Sequence, residues 1–361
     1  MVQQDLRNRL ASGLAIPASP LVLNSSRKLD ERRQRALWKY YEAAGAGGIA
    51  IGVHTTQFAI RNPEIALFRP LLQLANEELD RLDSRRDAAF TRHMVRIAGV
   101  CGETTQAVAE AELAVAHKFD AGLLGLGDLK RASDDILVGH CHTVAETIPI
   151  IGFYLQPAVG GRVLSYGFWR RFLEIESVVA IKIAPFNRYQ TIDVVRAVID
   201  SGRYDVALYT GNDDNIVLDL LTPFRFTRDA PLSVEVLERR IVGGLLGHWS
   251  VWTQRAVELL QRCQGYSRYE QPIDHEMLRL AIEVTDANAA LFDAANLYSG
   301  CIAGLHEVLR RQGLLEGIWC LDPSEGLNVG QMEEIDRVYA AYPHLNDDSF
   351  VECNRDEWLK G

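Results

Sequence analysis

Eight short apolar runs punctuate the first 265 positions, and longer amphipathic stretches separate them. The runs are Leu14 to Pro17, Gly47 to Val53, Arg96 to Val100, Ala121 to Leu126, Ile148 to Tyr154, Val178 to Ile183, Tyr204 to Gly211 and Val242 to Gly247. Between them lie helical patterns. Lys28–Gly45 stops at a glycine, Gly102–Phe119 is rich in alanine and glutamate after Thr104 and Thr105, and Thr191–Gly202 again ends at a glycine. Strands alternating with helices predict βαβ units and a parallel sheet. Near-continuous apolar strands are covered on both faces. Eight units predict a (β/α)8 TIM barrel rather than an open doubly wound sheet. The open sheet normally carries a glycine-rich phosphate loop after its first strand, and ASPLVLNSS there has no glycine.

The pattern breaks twice. Residues 221–240 are too many for one helix and read as an insertion, a loop plus part of a helix. After Gly265 no strand-like run follows, so the expected division is a barrel over 1–265 and a C-terminal helical region over 266–361. The run Asp80 to Asp87 reads as an exposed helix face with i,i+4 charge pairs.

Composition narrows the class. Lysine plus arginine number 38 and aspartate plus glutamate 48, a net charge of −10 that argues against nucleic-acid binding. No segment approaches the roughly 20 apolar residues that span a bilayer, so no membrane partner is expected. The N-terminus lacks an apolar signal core. Six scattered cysteines without a CxxC pair suit reduced, mostly buried thiols, and a cytoplasmic setting is expected.

Active sites of such barrels gather at the C-terminal ends of the strands. The residues there include His54, Thr55 and Thr56 after the second run, and Tyr154 at the end of the fifth. Lys182 lies on the sixth, Gly211 and Asp213 after the seventh, and His248 and Trp249 after the eighth. Lys182 is one ammonium inside an apolar strand, VVAIKIAPF. Burial would push its pKa down, and a neutral amine can attack a ketone to form a Schiff base. The competing reading is a strand-end lysine whose head reaches water. His140-Cys141-His142 resembles a metal motif, but it falls inside a helix and reads as solvated surface. No metal and no cofactor are expected.

Taken in order, Leu14–Asp30, Ala44–Thr56, Arg96–Ala111, Ile148–Pro157, Val178–Ala184, Leu208–Asp214 and Cys301–Leu315 resemble the dihydrodipicolinate synthase and N-acetylneuraminate lyase family. The resemblance runs from about Gly13 to Gly313. It implies a class I (Schiff-base) aldolase or lyase that takes pyruvate or another 2-oxo acid with an aldehyde partner, cleaving or forming a C–C bond or carrying out a linked dehydration, a carbon–carbon or carbon–oxygen lyase. It also implies a homo-oligomer, dimer or tetramer. Lys182 would then be the nucleophile, Tyr154 the proton shuttle and Thr55 its relay. Thr56 would hold the substrate carboxylate, while Gly211 and Leu246 would line the substrate site. The chain departs from the family at His54, Gln57 and Phe58, at Leu129 in place of an interface tyrosine, and at Val159 in place of an arginine, with Arg162 three residues on. These changes fall on the acceptor half of the site and argue against lysine biosynthesis. A true dihydrodipicolinate synthase and a non-catalytic 2-oxo-acid sensor are the alternatives. Phe58, Phe153, Trp249 and Trp252 hint at a bulkier, more apolar acceptor.

Overall fold

In the computed structural model, residues 2–84, 93–230 and 233–360 are described. Eight parallel strands form the barrel. They are β1 (Ala15–Pro17), β2 (Gly48–Ile51), β3 (Val95–Val100), β4 (Ala121–Leu124), β5 (Ile150–Leu155), β6 (Val178–Ala184), β7 (Ala207–Thr210) and, after a hairpin, β10 (Gly243–Leu246). Their spatial order is β1-β10-β7-β6-β5-β4-β3-β2. The remaining gap closes through a bridge from Ala18 to Ala50 and the backbone bond from Ser19 N to Ala50 O at 2.8 Å. Each apolar run supplied one strand, as the pattern predicts, and the (β/α)8 barrel with a C-terminal helical region is the architecture observed.

Strand alternation separates two cores. Ile97, Leu123, Ile151, Val179 and Leu245 fill the barrel interior, while Ile49, Ile150, Ile181, Ile183 and Leu246 face the surrounding helices. The register of β5 against β6 slips by one residue. Ile150 pairs with Val178, but Ile151 pairs with Ala180. This bulge re-aims every later side chain of one strand against the other.

The floor of the barrel is an element the sequence reading did not contain. A helix, Val2–Ala11, drives Leu6 and Leu10 into the interior cluster. Its C-terminal carbonyl, Leu10 O, accepts the Tyr209 hydroxyl at 2.7 Å. The insertion is also different from the expected loop and partial helix. It is an antiparallel hairpin of β8 (Phe224–Ala230) and β9 (Ser233–Arg239). Phe224, Phe226 and Leu237 turn toward the core while Arg225, Thr227 and Val236 stay exposed, a period-two pattern that a helix cannot satisfy.

Helix Thr253–Arg268 follows β10, and the C-terminal region forms helices His275–Leu291, Cys301–Arg311, Gln331–Ala341 and Asp348–Trp358. The helical region expected over 266–361 is broken at 292–300, where Asp293, Leu297 and Tyr298 take left-handed backbone angles. The last helix returns to the barrel layer, where the Trp358 ring lies 5.6 Å from that of Tyr40. Among the described residues no helix is long and apolar enough to cross a membrane. In the charged run from Asp80, residues beyond Ser84 lie outside the described residues until His93. Lys118 pairs with Asp80 at 2.7 Å. His140 corrects the reading of its triplet as solvated surface. It is buried, with Nδ1 2.9 Å from Thr104 Oγ1, and only His142 is on the exposed face.

Candidate active site

β6 places Lys182 inside the barrel near the C-terminal strand ends, with the residue only 8% exposed. Its Nζ lies 4.5 Å from the centroid of the Phe153 ring on the neighbouring strand. The amine lines a small cavity of about 50 Å³. Burial lowers its pKa below the ordinary lysine value, and the nearby Asp213 carboxylate only partly offsets this. Asp213 is displaced in the opposite direction. Burial raises its pKa, against the lowering effects of the His248 amide and the Lys182 charge. Both members of the pair are therefore shifted toward their uncharged forms.

Gly211 makes room for the lysine. A Cβ there would stand 2.6 Å from Lys182 Cε and 2.8 Å from Ala184 Cβ. Its backbone is tied to β6 by Gly211 N to Ile183 O at 2.7 Å. Thr55 also lines the cavity, and its hydroxyl donates to Ala18 O at 2.8 Å. The Thr56 hydroxyl is spent on the backbone. It donates to Ser19 O at 2.7 Å and accepts from Gly52 N at 3.0 Å, so it pins the loop and lies off the cavity wall.

Two further expected site residues are placed elsewhere. Tyr154 faces out of the barrel, 5.7 Å from the Trp169 ring, and its hydroxyl accepts from Leu164 N at 3.2 Å. Phe153 takes the inward position beside Lys182, so β5 offers the amine a ring without a hydroxyl. Leu246 likewise points into the outer core, whereas Leu245 faces inward and Gly247 reaches the cavity. In both cases a strand's alternating faces were assigned one residue out of phase.

Other residues at the cavity carry chemistry that the sequence reading did not assign. His54 is adjacent, with burial and then the Lys182 charge lowering its pKa to about 4, so the imidazole is neutral near pH 7. Asp213 stands among the strand-end residues of the sequence without a role assigned to it. A buried acid three positions past a strand end, in a barrel with a buried lysine, was the available signal. From the C-terminal region come Phe292, Tyr298 and Cys301. Tyr298 lines the cavity together with Gln156. No local motif marks Tyr298, because only the tertiary fold brings it to the strand ends. Gln57 stands where the family pattern has glycine. It keeps a left-handed φ of 66°, and its Oε1 accepts from Leu321 N at 2.6 Å.

A wider cleft of about 510 Å³ adjoins this cavity over β2 to β5 and shares Val53, Phe153 and Leu155 with it. Phe58, Arg61, Gln106 and Arg162 lie along it. The Arg61 guanidinium is engaged by Glu110 at 2.9 Å and by the carbonyls of Gly52 and Gly99. Arg162 clamps the loop after β4 by donating to Leu129 O and Ala132 O. Trp249 and Trp252 are buried and line a different groove of about 580 Å³, which touches His248 but not Lys182.

Neither a protein-family model nor a curated protein matches the chain. Solved structures do. Dihydrodipicolinate synthase from Bacteroides thetaiotaomicron aligns over 92% of this chain and 98% of its own, with a TM-score of 0.71 at 15% identity. The fold is that of the dihydrodipicolinate synthases. YagE, a prophage protein of the dihydrodipicolinic acid synthase family from E. coli K12 in complex with pyruvate, has the same fold. It aligns over 92% of this chain and 98% of its own, at TM-score 0.68 and 14% identity. CdNal from Clostridium difficile in complex with mannosamine covers 91% of this chain and 99% of its own, at TM-score 0.68 and 14% identity. The dihydrodipicolinate synthase fold thus includes the C-terminal helices as well as the barrel, since over nine-tenths of this chain is matched.

Proposed function

We propose that the protein is a class I aldolase or lyase that captures pyruvate or a related 2-oxo acid as a Schiff base on Lys182. The observation that carries this reading is a buried lysine amine, its pKa depressed by desolvation, facing a cavity at the strand ends of a dihydrodipicolinate synthase fold. A neutral amine attacks the ketone carbon, water leaves, and an iminium forms. Removal of a C3 proton gives an enamine, which adds to an aldehyde. The reverse sequence cleaves a C–C bond. The small cavity suits the 2-oxo acid, and the adjoining cleft suits the aldehyde. Thr55 and the tight turn behind it support the cavity wall. The departures at Gln57, Leu129 and Val159 support an aldehyde other than the one used in lysine biosynthesis.

The test is intact-mass analysis after incubation with pyruvate and borohydride. The wild-type chain should gain one reduced pyruvate adduct, mapped to Lys182, and Lys182→Ala should gain none. A wild-type chain with no adduct would sink the reading. A second reading is favoured by Phe153, which replaces a hydroxyl beside the amine with a ring. On that reading the barrel binds the 2-oxo acid as a sensor, and an adduct would form with no turnover on a panel of aldehydes.

A further inference from the structure

The amine needs a partner that moves protons, and the hydroxyl expected from β5 is turned away. We propose that Asp213 is the general acid–base of this site, taking the C3 proton of the iminium and returning it in the later steps. This rests on the Schiff-base reading above. The carboxylate lines the same cavity as Lys182 and is only 6% exposed. It is fixed at one end, because Oδ1 accepts the His248 amide N–H at 3.0 Å. Its backbone is held by Asp213 N to Gly211 O at 3.1 Å, in the same turn that lets the lysine side chain pass. A carboxylate anchored by one oxygen and interacting with the amine is positioned as a proton acceptor.

The steps balance. When the carbinolamine collapses, its hydroxyl takes a proton from solvent and leaves as water. The carboxylate then takes a proton from C3. The C–H electron pair becomes the C2=C3 bond, and the iminium pair moves onto nitrogen. When the enamine attacks an aldehyde, the new alkoxide takes the proton back from Asp213. No oxidant or further reactant enters.

Burial holds the Asp213 pKa above the ordinary carboxylate value in the free protein. Asp214 raises it further, while Lys182 and the His248 amide lower it. Tyr298, Cys301 and the neutral His54 complete the titratable groups around this cavity. Once Lys182 is an iminium its positive charge is permanent, which favours the ionised carboxylate and keeps the base available at neutral pH.

The experiment uses pyruvate alone, so no aldehyde need be known. Exchange of the pyruvate methyl protons with D2O is followed by NMR beside the borohydride trap. Wild-type protein should form the adduct and exchange. Asp213→Asn, which keeps the shape and the Oδ1 acceptor, should still form the adduct but exchange at least about 100-fold more slowly. At saturating pyruvate the wild-type exchange rate should fall on acidification, as the carboxylate protonates. Exchange by Asp213→Asn at the wild-type rate would overturn the assignment. So would a wild-type rate that rises as the pH falls, a result that does not depend on the variant folding. A variant that folds but loses the adduct would also overturn it, by moving Asp213 from proton transfer to ketone capture. Failure of the parent reading looks different, since there the wild-type chain itself forms no adduct.

Discussion

Methionine can copy the length of Lys182 without its amine, and that substitution isolates what the buried charge costs. In the folded protein, at pH below its lowered pKa, Lys182 must carry charge in a dry site, a penalty that fades as pH rises. Asp213 works in the same direction in the variant. Without the lysine charge its carboxyl is held protonated to higher pH, and stability is lost as pH rises from the unfolded carboxylate value through the raised folded one. The stability of Lys182→Met relative to wild type should therefore be greatest near pH 5 and decline toward pH 9, by about 1–3 kcal/mol in urea unfolding. An opposite slope would show that the pair is not desolvated. Gly211→Ala probes the same space sterically. Its methyl group meets the lysine stem, so the variant should lose the pyruvate adduct and about 1–3 kcal/mol of stability.

Among the elements, the N-terminal helix is the one with the most to show. Leu10 is fully buried against the interior of the barrel, and Leu10→Ala should cost about 2–5 kcal/mol in urea unfolding, as for any large-to-small change in a tight core. A cost under about 0.5 kcal/mol would mean that the helix does not seat in the barrel floor. This helix was not legible in MVQQDLRNRLASG because two leucines four positions apart make a stripe only about one turn long among polar residues, and only the open end of a barrel supplies their partner. The strands were legible because each is a short apolar run covered on both faces. Their orientation was not. Tyr154 and Lys182 lie 28 positions apart, but strand faces alternate every residue and the bulge at Ile150/Ile151 shifts the register by one, so spacing cannot say which of Phe153 and Tyr154 points inward. That Lys182, Thr55 and Gly211 lie together at the strand ends was readable because each falls in or just after an apolar run that becomes a barrel strand. Tyr298 carries none until the fold is closed.

Across the whole molecule, the barrel and its tail are joined by a buried polar knot. The Tyr40 hydroxyl donates to Asp347 at 2.8 Å and accepts from Thr253 N, while Asp347 also accepts from Gln254 N and Gln312 Nε2. Removing the hydroxyl in Tyr40→Phe strands the buried Thr253 N–H and takes one donor from the buried Asp347 carboxylate. It should lower stability by about 1–3 kcal/mol in urea unfolding while leaving the pyruvate adduct in place. The same long-range closure has a temporal meaning. Lys182 emerges from the ribosome more than a hundred residues before Phe292, Tyr298 and Cys301, which wall in its cavity. During synthesis the reactive amine therefore faces an unfinished mouth, and the enclosure that lowers its pKa exists only when the last third of the polypeptide has arrived.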